Sequence, residues 1–194
     1  CLSVGITGQA IRTTDGGATW SRNHELWPLD ATIFNHFRLN SVFFVDARNG
    51  WAVGSAVVVA GGPTEYHGGI WRTTDGGQTW HEQGLELYNQ RSLEFFDVQF
   101  LDEQHGWVLL ASYLTSSNIF LAHTVDGGEH WQLVDTGVAG PLAVGFADPF
   151  GGVVFTDTQH GLAFGGLSRV AMTHDGGATW TEPVVSCGGP NPCR

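Results

Sequence analysis

Short runs of β-branched and aromatic residues alternate with turn-forming residues along this chain. In one representative stretch these runs lie at 41–46, 51–54, 70–74 and 79–82. The gaps between them hold Gly, Asp and Asn, which favour tight turns. Such runs predict β-strands, and four consecutive strands joined by tight turns predict one antiparallel sheet. No helical periodicity with caps is evident in the sequence.

The same plan repeats, and each copy carries nearly the same eight residues. The octapeptides TTDGGATW, TTDGGQTW, TVDGGEHW and THDGGATW occupy 13–20, 73–80, 124–131 and 173–180. Their aspartates are separated by steps of 60, 51 and 49 residues. A fixed turn motif at a period of about 50 residues indicates a repeat architecture in which each repeat is one small sheet.

The octapeptide has a structural interpretation. An aspartate carboxylate accepts backbone N–H bonds from the residues that follow it. The two glycines reach backbone angles that strain other residues, and the tryptophan is large enough to bury against a neighbouring sheet. We therefore predict a structural role, not a catalytic or metal-binding one, for the following set: Asp15, Gly17, Trp20, Asp75, Gly77, Trp80, Asp126, Gly128, Trp131, Asp175, Gly177 and Trp180.

These octapeptides resemble the Asp box, also called the BNR repeat. With the flanking patterns V-x-F-x-D and G-W-A-V-G, the chain is similar to the photosystem II stability and assembly factor family, whose members are lumenal or periplasmic β-propellers. We accordingly predict an all-β fold, a β-propeller or propeller arc, as one domain over 1–194. Its four blades are expected at about 1–38, 39–92, 93–140 and 141–186, followed by a tail at 187–194.

The first blade is predicted to lack its first strand. Aligning the first octapeptide with the fourth places Cys1 on Gly161, which follows the first strand and turn of the fourth blade. Two arrangements remain open. The chain is either a piece of a longer propeller, or a four-bladed arc with an open edge at which a partner chain can pair.

Charge and cysteine content narrow the set of partners. The net charge is −11, and all eight basic residues are arginine. Such a chain repels phosphate backbones and anionic membrane surfaces, so we expect no nucleic acid partner. Cys1 matches the lipid-bearing first residue of a mature bacterial lipoprotein, or is simply where the numbering begins. Cys187 and Cys193 flank a Gly/Pro-rich loop and are either bridged, which implies an oxidising compartment, or free thiols.

The position three residues before each octapeptide aspartate holds Arg12, Arg72, His123 and Met172. The family resemblance implies a basic patch that binds membrane-protein partners, to which the first three residues would belong. The alternative is that each arginine pairs with an acid in the next blade. A second partner-binding candidate is the segment 21–40 that joins the first two blades and carries Trp27, Phe34 and Phe37. It is too apolar for an ordinary surface loop, so we expect it either to cover the open edge or to form an interaction surface.

No residue pattern indicates catalysis, a metal site or a cofactor. The three tyrosines lie in unrelated settings, and no His or Cys cluster has zinc-site spacing. The sequence therefore predicts a non-catalytic, extracytoplasmic scaffold or binding protein. The resemblance extends this to an accessory or assembly subunit of a larger, photosynthetic membrane complex in the periplasm or thylakoid lumen, held there by that partner or by a lipid on Cys1. The alternative function is a carbohydrate-active protein, either a sialidase-like hydrolase or a glycan-binding module.

Overall fold

The chain folds into four small antiparallel sheets, called blades 1 to 4 here. A computed structural model describes residues 2–4, 10–23, 34–58, 65–87, 93–112, 118–139, 151–165 and 169–183. Blade 1 consists of β1 (Leu2–Val4), β2 (Ala10–Arg12) and β3 (Ser21–Asn23). Blade 2 consists of β4 (Phe34–Phe44), β5 (Gly50–Val58), β6 (Glu65–Thr73) and β7 (His81–Gln83).

The remaining strands repeat the arrangement. Blade 3 consists of β8 (Leu93–Phe100), β9 (Gly106–Ser112), β10 (Asn118–Thr124) and β11 (Gln132–Ala139). Blade 4 consists of β12 (Gly152–Phe155), β13 (Gly161–Gly165) and β14 (Arg169–Thr173), and a bridge between Met172 and Thr181 begins its fourth strand. One 3-10 turn at Leu85–Leu87 is the only helix in these ranges, and no helix found there has the length and apolarity to cross a bilayer. The predicted all-β class and four Asp-box blades are confirmed.

Blade 1 has three strands in the described part of the chain. Leu2 of β1 pairs with Arg12 of β2, in the same way as Trp51 of β5 pairs with Arg72 of β6. Because β5 is the second strand of its blade, β1 takes the second-strand place. The described residues of blade 1 therefore correspond to the second, third and fourth strands of the blade plan.

Part of the segment expected to join blades 1 and 2 is a strand. Phe34 and Phe37 lie in β4, where they pair with Val58 and Ala56 of β5. The pairing register shifts twice, between Phe34 and His36 and again further along β4. Each bulge interrupts the alternation of inward and outward side chains, and this alternation is the pattern by which a strand is recognised from sequence.

The Asp box is a self-contained hydrogen-bonded turn. In blade 2 the Thr73 hydroxyl donates to Asp75 over 2.8 Å and accepts from the Gly77 amide over 2.9 Å. The Asp75 carboxylate also accepts from the amide and the hydroxyl of Thr79, at 2.9 and 2.6 Å. The Trp80 indole closes the turn by donating to the Gly77 carbonyl over 3.2 Å. The same threonine-to-aspartate and threonine-to-glycine bonds recur in the other three boxes.

A second aspartate turn, between the first and second strands, supports the box in blades 2 to 4. In blade 2, Asp46 Oδ1 accepts from the amides of Arg48 and Asn49, at 2.6 and 2.8 Å. The Arg48 carbonyl then accepts from the Gly76 amide of the box over 2.8 Å. Asp102 and Asp157 form the equivalent turns in blades 3 and 4. His105 and His160 each bond to the aspartate of their own turn, as expected of repeat-specific structural residues.

Neighbouring blades are joined by stacked aromatic rings. Trp51 of blade 2 lies on Phe100 of blade 3, with ring centroids 3.5 Å apart and planes 9° apart. Trp107 of blade 3 lies on Phe155 of blade 4 at 3.7 Å and 10°. Both tryptophans are fully buried, so these rings form the centre of the two blade interfaces.

The sheet face of blade 4 that continues this series is exposed. Leu162 of β13 occupies the place that Trp51 and Trp107 occupy in blades 2 and 3. Leu162, Val154 and Phe164 are 37%, 42% and 41% exposed. Within the described residues, blade 4 therefore has no blade packed on this face.

We expect Thr73→Val to destabilise the chain by about 1–3 kcal/mol, because this near-isosteric change removes the buried hydroxyl that donates to Asp75 and accepts from the Gly77 amide. The loss corresponds to a decrease in Tm of about 2–4 °C per kcal/mol in a chain of this size. Thermal unfolding followed by circular dichroism measures it. Thr74→Val, at the adjacent exposed position, is the matched control and should leave Tm unchanged. Equal effects of the two substitutions would contradict the role given to the Thr73 hydroxyl.

The box carboxylates predict acid sensitivity in a defined interval. The Thr179 hydroxyl, then the Thr179 amide and the Thr173 hydroxyl, lower the pKa of Asp175 from 3.8 to about 2. A pKa that is lower in the folded state stabilises the fold above the unfolded value, and this stabilisation disappears as the pH falls through the folded value. Tm should therefore decrease between about pH 4 and pH 2. Asp175→Asn should lower Tm at neutral pH and flatten the decrease, and an unchanged profile would contradict the assignment.

Candidate partner-binding surface

The four positions that precede the boxes occupy one equivalent place in their blades. Arg12, Arg72, His123 and Met172 lie on the third strand of each blade, opposite the start of the second strand. Each lies one residue before the threonine that bonds to the box aspartate. The side chains at these positions differ in charge, and their surroundings differ as well.

Arg72 reaches from blade 2 into blade 3. Its guanidinium carbon lies 5.4 Å from the ring centroid of Trp51, within the distance of a cation–π contact. Its Nη1 lies 4.0 Å from Glu129 in the box of blade 3. The pairing of an arginine with an acid of the next blade, the structural alternative for this position, is therefore observed for Arg72. Glu129 is largely exposed, so this ion pair adds little stability.

His123 does not extend the positive charge. Its ring stacks on Trp107 with centroids 4.8 Å apart and planes 11° apart. Burial, and then the nearby charge of His105, lower the pKa of His123 below its usual value of 6.5. The ring is therefore predominantly neutral near pH 7, and Met172 carries no charge. The permanent positive charges of this set are those of Arg12 and Arg72.

Arg12 stands beside a cavity between blades 1 and 2. The cavity has a volume of about 510 Å³ and is lined by Arg12, Thr13, Thr14, Gly16, Val42, Phe44, Asp46, Ala47 and Gly76. The Arg12 Nη2 atom lies 3.5 Å from the position that a Cβ on Gly76 would take. Arg72 Nη1 lies 2.9 Å from the same point on Gly127 in the next box, so the two arginines point at equivalent glycines.

The acid that faces Arg72 has no counterpart in the second box. The position of Glu129 is taken there by Gln78, whose side-chain amide donates to the Asp75 carbonyl over 2.9 Å. Arg12 therefore borders the cavity, and the box that it faces has Gln78 at the position where the third box has Glu129. This difference is visible in the octapeptides TTDGGQTW and TVDGGEHW, but its meaning depends on which arginine faces each box.

The other predicted site residues divide into two groups. Trp27, Cys1, Cys187 and Cys193 lie outside the described residues, and Phe34 and Phe37 are described in their backbone only. The box residues form four separate turns whose carboxylates already accept hydrogen bonds from their own turns. Within the described ranges, no group of three or more His, Cys, Asp or Glu side chains has the geometry of a metal site.

Sequence reasoning missed the slot formed by Arg12, Phe44 and Gly76. Phe44 lies in the motif V-x-F-x-D, which served as a family marker and not as part of a site. The available signal was the absence of a tryptophan at Leu2, where the second and third repeats have Trp51 and Trp107.

Comparison with known proteins agrees with this repeat architecture. The BNR/Asp-box repeat model matches residues 71–82, which contain the second box. The photosystem II assembly lipoprotein Ycf48 of Synechococcus sp. (strain CC9902) is 26% identical over 150 residues, which are 76% of this chain and 37% of that protein.

Two solved structures show the same fold. A structure of YCF48 bound to D1 peptide has a TM-score of 0.53 and 21% identity, over 78% of this chain and 40% of that one. A protein of unknown function from Dyadobacter fermentans DSM 18053 has a TM-score of 0.59 and 15% identity, over 92% and 52%. The chain spans about two fifths of the two Ycf48 proteins. The chain therefore contains a BNR/Asp-box repeat, has the fold of these solved structures and is similar in sequence to the photosystem II assembly lipoprotein Ycf48.

Proposed function

We propose that this chain is a non-catalytic scaffold or binding protein that acts as an assembly or accessory subunit of a photosynthetic membrane complex. The observation that carries the proposal is the pair Arg12 and Arg72, which point at equivalent glycines of successive boxes. The sequence similarity to an assembly lipoprotein supports it, as does the D1 peptide bound by a structurally similar Ycf48.

Protein binding fits these two arginines better than catalysis does. Each guanidinium offers a planar set of donors that recognises carboxylates and backbone carbonyls. The box aspartates accept hydrogen bonds within their own turns and lie in four separate hairpins, so they do not form an acid–base pair of the kind that glycoside hydrolysis needs. A carbohydrate-active function, the alternative raised by the Asp boxes, is therefore not favoured.

The proposed location is extracytoplasmic, in the periplasm or thylakoid lumen, at the membrane surface. It draws on the similarity to a lipoprotein and on the oxidisable pair Cys187 and Cys193. We further propose that Cys1 carries a lipid in the mature protein. Intact-mass measurement of the chain purified from its native membrane tests this, since an unmodified Cys1 would leave the protein partner as the only anchor.

Binding of D1 segments tests the proposed function. We expect the chain to bind at least one peptide from a set that tiles the D1 sequence, measured by fluorescence anisotropy. The double variant Arg12→Gln/Arg72→Gln should weaken binding by about tenfold or more, because charge-assisted hydrogen bonds are lost. Arg22→Gln, which removes one positive charge at exposed Arg22 of β3, is the control for each single substitution, Arg12→Gln and Arg72→Gln, and should bind like the unaltered chain.

Two further results decide between the candidate functions. Affinity purification of the tagged chain from solubilised native membranes should recover a membrane protein complex. Recovery of the chain alone, together with no binding of any D1 peptide, would contradict the proposal. Turnover of a fluorogenic glycoside, abolished by one carboxylate substitution, would establish the carbohydrate-active alternative instead.

A further inference from the structure

The cavity between blades 1 and 2 corresponds to a slot that a tryptophan fills at the next two blade junctions. Trp51 fills it between blades 2 and 3, stacked on Phe100. Trp107 fills it between blades 3 and 4, stacked on Phe155. At both junctions the preceding blade supplies the indole and the following blade supplies the phenylalanine.

The phenylalanine of the slot is retained at the first junction. Phe44 takes the place of Phe100 and lines the cavity. One face of its ring is covered by Gly50, where an added Cβ would lie 2.6 Å from the ring. Phe100 is covered in the same way by Gly106, and its other face carries the indole of Trp51. The ring of Phe44 is therefore held in the orientation that accepts a stacked aromatic partner.

The cation above the slot is retained as well. Arg72 stands 5.4 Å from the centroid of Trp51, and Arg12 takes the equivalent place beside the cavity. The carbonyl acceptor is also equivalent, because Trp51 Nε1 donates to the Gly127 carbonyl over 3.1 Å and Gly76 is the matching residue in the second box. Trp107 Nε1 has no acceptor among the described residues, so stacking is the feature that both filled slots share.

Among the described residues, the first junction lacks a ring stacked on Phe44. Leu2 pairs with Arg12 in the register in which Trp51 pairs with Arg72. A leucine at this place supplies no aromatic face. The cavity of about 510 Å³ lies at this junction, and that volume falls within the range of roughly 300–1,000 Å³ typical of ligand pockets.

We propose that the slot formed by Arg12, Phe44 and Gly76 binds an aromatic side chain of a protein partner, with tryptophan preferred. The indole stacks on Phe44, the Arg12 guanidinium lies over its electron-rich face, and the indole N–H donates to the Gly76 carbonyl. The chain's own Trp51 is the template for this pose. The inference deepens the proposed function, because it names the type of residue that the partner inserts.

The slot can be tested without any partner protein. We choose N-acetyl-5-fluorotryptophan amide as the probe and ¹⁹F line broadening as the signal. The unaltered chain should bind the probe with a Kd of about 1 mM, the affinity range of a small fragment. N-acetyltryptophan amide should compete for the site, whereas N-acetylleucine amide should not.

A chain that supplies its own ring should close the slot. Leu2→Trp is expected to abolish broadening of the probe signal and to raise Tm by about 3–6 °C, because the added indole buries in the cavity. The matched control is Leu162→Trp, the same substitution at the equivalent position of blade 4, where the face is exposed. It should leave both probe binding and Tm unchanged.

The outcomes are decisive in both directions. Loss of probe binding in Leu2→Trp but not in Leu162→Trp supports the slot. Reduced broadening of the probe line in Phe44→Ala supports it independently of the first variant. No broadening in the unaltered chain, or equal broadening in Leu2→Trp, overturns the inference. The probe experiment tests the slot, and the D1 peptide experiment tests the proposed function. A negative probe result would therefore overturn the slot without contradicting the proposed function.

Discussion

The interfaces that join blades 2, 3 and 4 depend on a phenylalanine, Phe100 or Phe155, that is held on both faces. One face of Phe100 packs directly on Gly106 of its own blade. A side chain at that position would collide with the ring, so the packing requires glycine there. The other face carries Trp51 of the preceding blade, and Trp131 of the box meets the ring edge-on at 5.9 Å. The ring therefore links strand pairing, the Asp box and the blade interface. Since packed interiors do not deform continuously, this contact fixes how closely one blade approaches the next.

The Asp boxes fix negative charge in separate turns. Burial opposes ionisation of Asp126, but hydrogen bonds from His130 outweigh it and lower the pKa of Asp126 to about 2, and hydrogen bonds from Thr179 and Thr173 lower the pKa of Asp175 to about 2. These carboxylates lie in four separate turns and do not converge on one pocket. The net charge of −11 therefore describes the long-range field of the molecule, whereas Arg12 and Arg72 place positive charge locally beside the second and third boxes.

The sequence predicted the repeated features well and the unrepeated ones poorly. The boxes, the strand pairs around them and the second-strand place of β1 followed from residue types at a fixed period, because local hydrogen bonds determine them. The start of β4 at Phe34, inside the segment expected to join blades 1 and 2, was not predicted, because two register shifts disrupt the alternation of this strand. The pairing of Arg72 with Glu129 could be foreseen only as an alternative, since it depends on the distance between two blades.

The place where repeats differ is informative because the scaffold itself is so constant. Blades 2 and 3 each supply an indole to the next blade, and an arginine or histidine lies over it. Blade 1 keeps the arginine but has Leu2 in the indole position, and Gln78 stands where Glu129 would face it. Both changes act at the junction of blades 1 and 2. Among the described residues, Phe44 has no stacked indole there, and Arg12 has no glutamate in the position of Glu129. A structural requirement alone would favour filling that slot, since stacked rings stabilise the other two junctions. In the described part of the chain the slot keeps its phenylalanine, arginine and carbonyl but holds no stacked ring, which is the observation behind the proposal that the ring comes from another molecule.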